Sequence, residues 1–172
     1  QKILSERLSS MQKTHVEKKL DFLPEPTIKF VLLHTFSHLL IRQLAFECGY
    51  AGSSLRERIY CDKSKLSGIL IYTADGDSEG SLGGLVGQGR SDIFSKTILT
   101  CLQKAKICSS DPICKELDGQ GMRGLNRAAC HSCALLSETS CVAHNAILDR
   151  MLLVSEKYGF FKDVMENLEN KL

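Results

Sequence analysis

Residues 27–49 read TIKFVLLHTFSHLLIRQLAFECG. No proline breaks the run, and apolar residues occupy most of its helical circumference. That pattern marks a helix buried on nearly all sides rather than one lying on a surface. Gly49, which takes the left-handed conformation without a Cβ penalty, stops it. The rest of the chain must therefore wrap this helix. On its N-terminal side, residues 2–20 form a polar amphipathic helix, an arm closed by LPEP at 23–26, where Pro24 and Pro26 disfavour continued helix. On its C-terminal side, RERIYC (56–61) and SGILIYTA (67–74) are β-rich runs bounded by turn formers that pair as a small sheet. SDIFSKTILTCLQKAKIC resumes helical spacing with Ser91 as N-cap, and residues 143–157 and 160–171 read as two more helices.

Composition bounds the function classes. With 172 residues, 43% of them hydrophobic, the chain can bury one core of ordinary size. A net charge of +2 does not by itself establish a nucleic-acid surface, because clustering on one face matters more than the total. No stretch approaches the roughly 20 apolar residues of a membrane span. The opening QKILSERLSS has no basic-then-apolar signal segment, so a soluble, cytoplasmic protein is expected. Beginning at Gln1 rather than Met, the sequence reads as a fragment or one part of a processed chain whose remainder could carry the main activity.

The eight cysteines divide into two groups. Cys48, Cys61 and Cys101 lie scattered among apolar neighbours and read as core or near-surface thiols. Cys108, Cys114, Cys130, Cys133 and Cys141 are clustered in CSSDPIC and CHSCALLSETSC. Without an export signal, metal binding explains such a cluster better than a disulfide framework. Zinc takes four thiolate or imidazole ligands in a tetrahedron, and the Cys130–Cys133 pair aims two sulfurs at one ion from a single turn. Cys141 can fold back from one side, and Cys114 from across the glycine-rich DGQGMRG turn. The expected ligand set is Cys114, Cys130, Cys133 and Cys141, with Cys108 and His131 as competitors. A set of buried free thiols, or a redox pair at Cys130 and Cys133, is the alternative. The fold class is α+β: mostly helical, with a small β-sheet and a cysteine zinc knuckle near the C-terminal end.

Other constellations carry weaker chemistry. HTFSH places His34 and His38 on one helical face, but Thr35 stands where a zinc protease needs glutamate, so the two read first as satisfied core histidines and second, with Arg42, as the lining of a polar pocket or a phosphate contact. Together with Glu57 and the acidic turn of Asp75, Asp77 and Glu79, these histidines define the alternative reading, a hydrolase or nuclease. DGDSEG (75–80) begins like a calcium loop, yet Val86 falls where a bidentate glutamate is required, so it reads as a turn. GLVGQGRS (84–91) spaces its glycines like a phosphate-binding loop but carries Arg90 in place of the lysine, so no ATP hydrolysis is expected. Basic residues recur along the arm and at Arg56, Arg58, Lys63, Lys65 and Arg90. Arg56, Arg58 and Arg90, beside the backbone amides of 83–90, are the candidate contacts to nucleic-acid phosphate. Pairing with Glu57, Asp62 or Asp75 on a solvated face is the bland alternative.

In chain order, LLHTFSHLLIRQLAFECGY, SLRERIY, GILIYTADGDSEGSLGGL, DPIC, CHSCALLSETSC and NAILDR resemble the MrfA-type zinc-binding domain family. The resemblance runs from about residue 30 to residue 155, and the knuckle followed by N-x-x-LDR is its most specific part. With the segments read above, the chain divides into three parts: a helical arm (1–25), the MrfA-type zinc-binding domain (26–157) and a C-terminal helix (158–172). The resemblance implies a Zn²⁺ site on Cys114, Cys130, Cys133 and Cys141, and association with a superfamily 2 DNA helicase. That helicase is fused in some members and is a separate DrmA-like subunit in the DISARM anti-phage system. These 172 residues contain no helicase motif. The chain is accordingly expected to be a non-enzymatic accessory domain that meets DNA directly or through the helicase. Zinc there would add folding energy and no chemistry, with Asn145, Asp149 and Arg150 bracing the knuckle.

Overall fold

In the computed structural model, which describes residues 2–61, 67–74, 83–121 and 123–169, the run quoted above is one continuous helix. Helix α2 spans Ile28–Cys48. Its first turn is capped by Thr27, whose hydroxyl accepts a hydrogen bond from the Phe30 amide at 3.1 Å. It ends at Gly49, with φ at 71° and its N–H returned to the Ala45 carbonyl. Val31, Leu39, Leu40, Ile41 and Leu44 are buried on one side or another, and so are His34, Thr35, Ser37, His38 and Gln43. A helix buried around its circumference needs covering elements on every side. The fold supplies them.

The predicted hairpin forms. Strands β1 (Leu55–Cys61) and β2 (Ser67–Thr73) make a two-stranded antiparallel sheet in which Glu57 faces Ile71 and Arg58 faces Leu70. Alternation along β1 turns Leu55 and Glu57 toward α2 and Arg56 and Arg58 toward solvent. Helices α3 (Gly83–Gln88) and α4 (Ser91–Ala105) follow. Cys101 and Leu102 of α4 enter the core, and burial pushes the Cys101 thiol up to about 12. The glycine-rich segment is therefore helical, and its last amides are occupied: Gly89 and Arg90 donate to the carbonyls of Leu85 and Gly87. They are not available to cradle a phosphate.

Short helices α5 (Ile113–Glu116) and α6 (Met151–Val154) flank a long irregular segment, and α7 (Lys162–Glu169) closes the chain. The helix expected over 143–157 is limited to α6. Its first half is prevented by left-handed backbone at His144, Asn145 and Ile147, with φ of 51°, 56° and 63°. That conformation lets the Asn145 side chain pair with both the N–H and the carbonyl of Leu136, at 2.9 Å each. It also brings Leu148 alongside Arg127, whose amide donates to the Leu148 carbonyl at 2.8 Å. The arm, α1 (Lys2–Glu17), is docked on the body. Met11 and His15 are buried, and Arg7 holds Asp149 through two bonds of 2.7 and 2.8 Å.

Candidate metal centre

Cys130 and Cys133 sit on a tight turn whose amides at 133, 134 and 135 all donate to the Cys130 carbonyl. Such a turn aims both sulfurs the same way. Opposite it, the loop leaving α4 presents Cys108, and α5 presents Cys114. The sulfurs meet in pairs: Cys108 to Cys130 at 3.5 Å, Cys114 to Cys133 at 3.8 Å, and Cys130 to Cys133 at 3.8 Å. All four lie within 4.8 Å of one another. Zinc–sulfur bonds of about 2.3 Å in a tetrahedron place sulfurs about 3.8 Å apart, so this donor set fits zinc. The electrostatics agree. Burial raises the Cys133 thiol to about 11, and burial together with the neighbouring sulfurs drives Cys114 up further. At Cys130 burial is outweighed by hydrogen bonds from Cys108, the Ser132 amide and the other thiols, which bring it down to about 6. Crowded thiols share one ready negative charge, whereas a dication permits all four to ionise.

Buried charge holds the knuckle in place. Arg150 is fully buried and donates to the Ala128 carbonyl at 3.1 Å, the Ala105 carbonyl at 2.6 Å and both carboxylate oxygens of Asp111 at 2.9 and 3.0 Å. Asp111 in turn accepts the Cys108 amide at 2.9 Å. One guanidinium thus ties the end of α4, the loop before α5 and the segment entering the knuckle. From the other side Arg42 of α2 donates to the carbonyls of His131, Ser132 and Leu135. Asn145 braces the loop beyond the knuckle, and Asp149 belongs to the contact with α1.

The expected fourth ligand is placed elsewhere. Cys108 completes the cluster with Cys114, Cys130 and Cys133, while Cys141 passes under α2 after a 3₁₀ turn at Glu138–Ser140. Local folding explains the exchange, because the Asp111 amide bonds the Cys108 carbonyl and the Cys114 amide bonds Ser110, curling 108–114 so that both thiols face one way. His131 is exposed on the turn.

Cys141 meets residues that the hydrolase reading had grouped. Its sulfur lies 3.2 Å from His34 Nε2 and 3.2 Å from His38 Nε2, and both nitrogens approach Glu57 Oε1, at 3.1 and 3.4 Å. The spacing of the histidines on α2 and the inward phase of Glu57 between Leu55 and Ile59 were the sequence signals for this convergence. Burial and the adjacent His34 oppose protonation of His38, yet its bonds to Cys141 and Glu57 raise its pKa. Burial likewise opposes ionisation of Glu57, yet the two histidines hold its carboxyl well below the usual range. Both imidazoles are 0% exposed, so the group lies in the interior and not in a cleft. Asp75, Asp77 and Glu79 lie outside the described residues.

The sequence profile described as the MrfA Zn-binding domain matches residues 36–134, which include all four clustered cysteines. The chain belongs to this family. Zinc is the metal of this MrfA Zn-binding domain, and the four-thiol cluster supplies a donor set suited to it. The DISARM protein DrmB of Bacillus paralicheniformis (strain ATCC 9945a / NCIMB 11709 / CD-2) is 43% identical over 166 residues. The alignment covers 94% of this chain and 29% of that protein, so the chain spans less than a third of its relative. Among the described residues no helix is long and apolar enough to cross a membrane.

The three candidate phosphate contacts of this MrfA Zn-binding domain fall at two places. Arg56 and Arg58 project from the outer face of β1 beside Tyr60 and opposite Tyr72 and Leu70, all exposed. Among the described residues neither arginine has an ion-pair partner, and Glu57 points away to the opposite face. Arg90 stands at the junction of α3 and α4, where its Nε is 3.5 Å from Asp92. Lys63, Lys65 and Asp62 lie outside the described residues.

Proposed function

We propose that this domain is the zinc-stapled part of a DrmB-like protein that supports a superfamily 2 DNA helicase, of the DrmA type, in anti-phage defence. One observation carries the reading: four converging thiols, braced by a buried arginine, in a chain of the MrfA Zn-binding family that is 43% identical to a DISARM protein. Cys108, Cys114, Cys130 and Cys133 hold the zinc. Four protein ligands leave no position for water, so the ion serves the fold and the domain performs no hydrolysis of its own. Arg56 and Arg58, flanked by exposed tyrosines, give the hairpin a surface that meets phosphate without reading bases. Arg90 is weaker in this role because Asp92 offsets its charge.

The test joins two measurements on the full-length protein. Co-purification with its helicase subunit is expected for the wild type and lost in Cys133→Ser. Fluorescence anisotropy on labelled DNA is expected to show weak, sequence-blind binding that falls steeply with salt, and Arg56→Ala with Arg58→Ala should reduce the salt slope by about 2. Retained helicase association in a zinc-free variant would overturn the docking role. An unchanged salt slope would assign DNA contact to the helicase.

A further inference from the structure

Beneath α2, four potential ligands from three parts of the chain face one point. Each imidazole bonds a carbonyl through Nδ1: His34 to Ile147 at 3.3 Å and His38 to Ala134 at 2.9 Å. A carbonyl only accepts, so Nδ1 carries the hydrogen, and in the neutral ring the Nε2 lone pair is free and turned inward. Metal-bound histidines are held in this way. The Cys141 sulfur receives the amides of Ala143 at 3.3 Å and Asn145 at 3.2 Å. Glu57 Oε1 receives the Val142 amide at 3.2 Å, while the other oxygen, Oε2, is buried and has no hydrogen-bond partner among the described residues. Two imidazole lone pairs, a sulfur and a carboxylate converge on one point, and hydrogen bonds among themselves cannot satisfy them all.

From this geometry we infer that His34, His38, Glu57 and Cys141 form a second metal site, separate from the four-cysteine cluster, that binds one zinc ion. The charges close: one carboxylate and one thiolate offset a dication in a space that water does not reach. The distances suit it as well. Zinc bonds of about 2.0–2.1 Å to nitrogen and oxygen and about 2.3 Å to sulfur put tetrahedral ligands about 3.3–3.6 Å apart, and the contacts here run from 3.1 to 3.4 Å. The donor set, two nitrogens, one sulfur and one oxygen, is one that zinc accepts and that calcium and magnesium do not. Because the four ligands close the site, its role is to clamp α2, β1 and the segment after Cys141 together. The hydrolase reading groups the same histidines and glutamate, but a closed shell gives them no catalytic water.

The full chain, produced in zinc-supplemented medium and freed of loosely bound metal, tests this by elemental analysis and X-ray absorption at the zinc edge. About two zinc per chain are expected, with a mixed shell of sulfur near 2.3 Å and nitrogen or oxygen near 2.0–2.1 Å. Cys141→Ser or His38→Ala should lower the content to about one and leave a sulfur-only shell. About one zinc with a sulfur-only shell in the wild type would overturn this inference while leaving the cysteine cluster intact. About one zinc with a mixed shell rich in nitrogen would support it and instead overturn the cysteine assignment. If either variant fails to fold, the wild-type shell decides alone.

Discussion

Arg150 keeps a full charge where no water reaches, and three segments depend on it for their polar partners. Replacing it with Met takes the cation from the Asp111 carboxylate and from two carbonyls. The Asp111 carboxylate keeps contact with water and with the Cys108 amide, so the loss comes mainly from the two buried carbonyls left without a donor, and urea denaturation of Arg150→Met should read a loss of about 2–4 kcal/mol. Arg150→Lys keeps the charge but not the planar fork, so it should retain only part of the stability. A second pair of substitutions separates ligand from bystander. Cys108→Ser should lose zinc from the knuckle and much of its soluble yield, whereas Cys48→Ser, half-buried and outside both clusters, should change stability by less than about 1 kcal/mol. At this scale the sequence was informative where spacing was local. Cys130 and Cys133 belong to one turn, and their partnership follows from the chain's geometry. The choice between Cys108 and Cys141 depends on which segment the tertiary fold returns to the turn, and linear spacing carries no such information.

Among the elements, α2 was legible from end to end, because an all-round apolar run with a threonine start and a glycine stop has one physical solution. The hairpin was legible chiefly through β2, whose Ile69, Ile71, Tyr72 and Thr73 are strand formers bounded by turn residues, while β1 offers only Ile59 and Tyr60. The segment after Cys141 was not. Its apolar spacing suits a helix, but its side chains and carbonyls are recruited by α2, the knuckle loop and Arg127, and these tertiary bonds outweigh helical propensity. Gly159, between α6 and α7, shows how tightly such connections are built. A Cβ there would stand 2.5 Å from the Ser155 nitrogen and 2.6 Å from its carbonyl oxygen. Backbone cannot yield as a flexible side chain can, so Gly159→Ala should destabilise by roughly 2–4 kcal/mol in thermal or urea unfolding. Gly49→Ala meets open space, and its only penalty is the left-handed φ, about 1 kcal/mol.

For the molecule as a whole, zinc links the end of α4 to the segment that wraps α2. Removing it should loosen the outer layer before the helix it covers. A strong chelator is expected to lower the melting temperature by at least roughly 10 °C, read by calorimetry, with recovery on adding zinc. An unchanged transition in metal-free protein would show that packing alone secures the layer. The order of the chain adds a further consequence. Helix α2 leaves the ribosome before the partners of its buried histidines, because Ala134, Cys141 and Ile147 are made about a hundred residues later. For that interval the nascent helix is covered by the hairpin and α4 but keeps the face of His34 and His38 without its final partners. Synthesis of this protein therefore includes a window in which holdase chaperones have a ready client, and slowing translation between the codons for Gly49 and Cys141 would lengthen it.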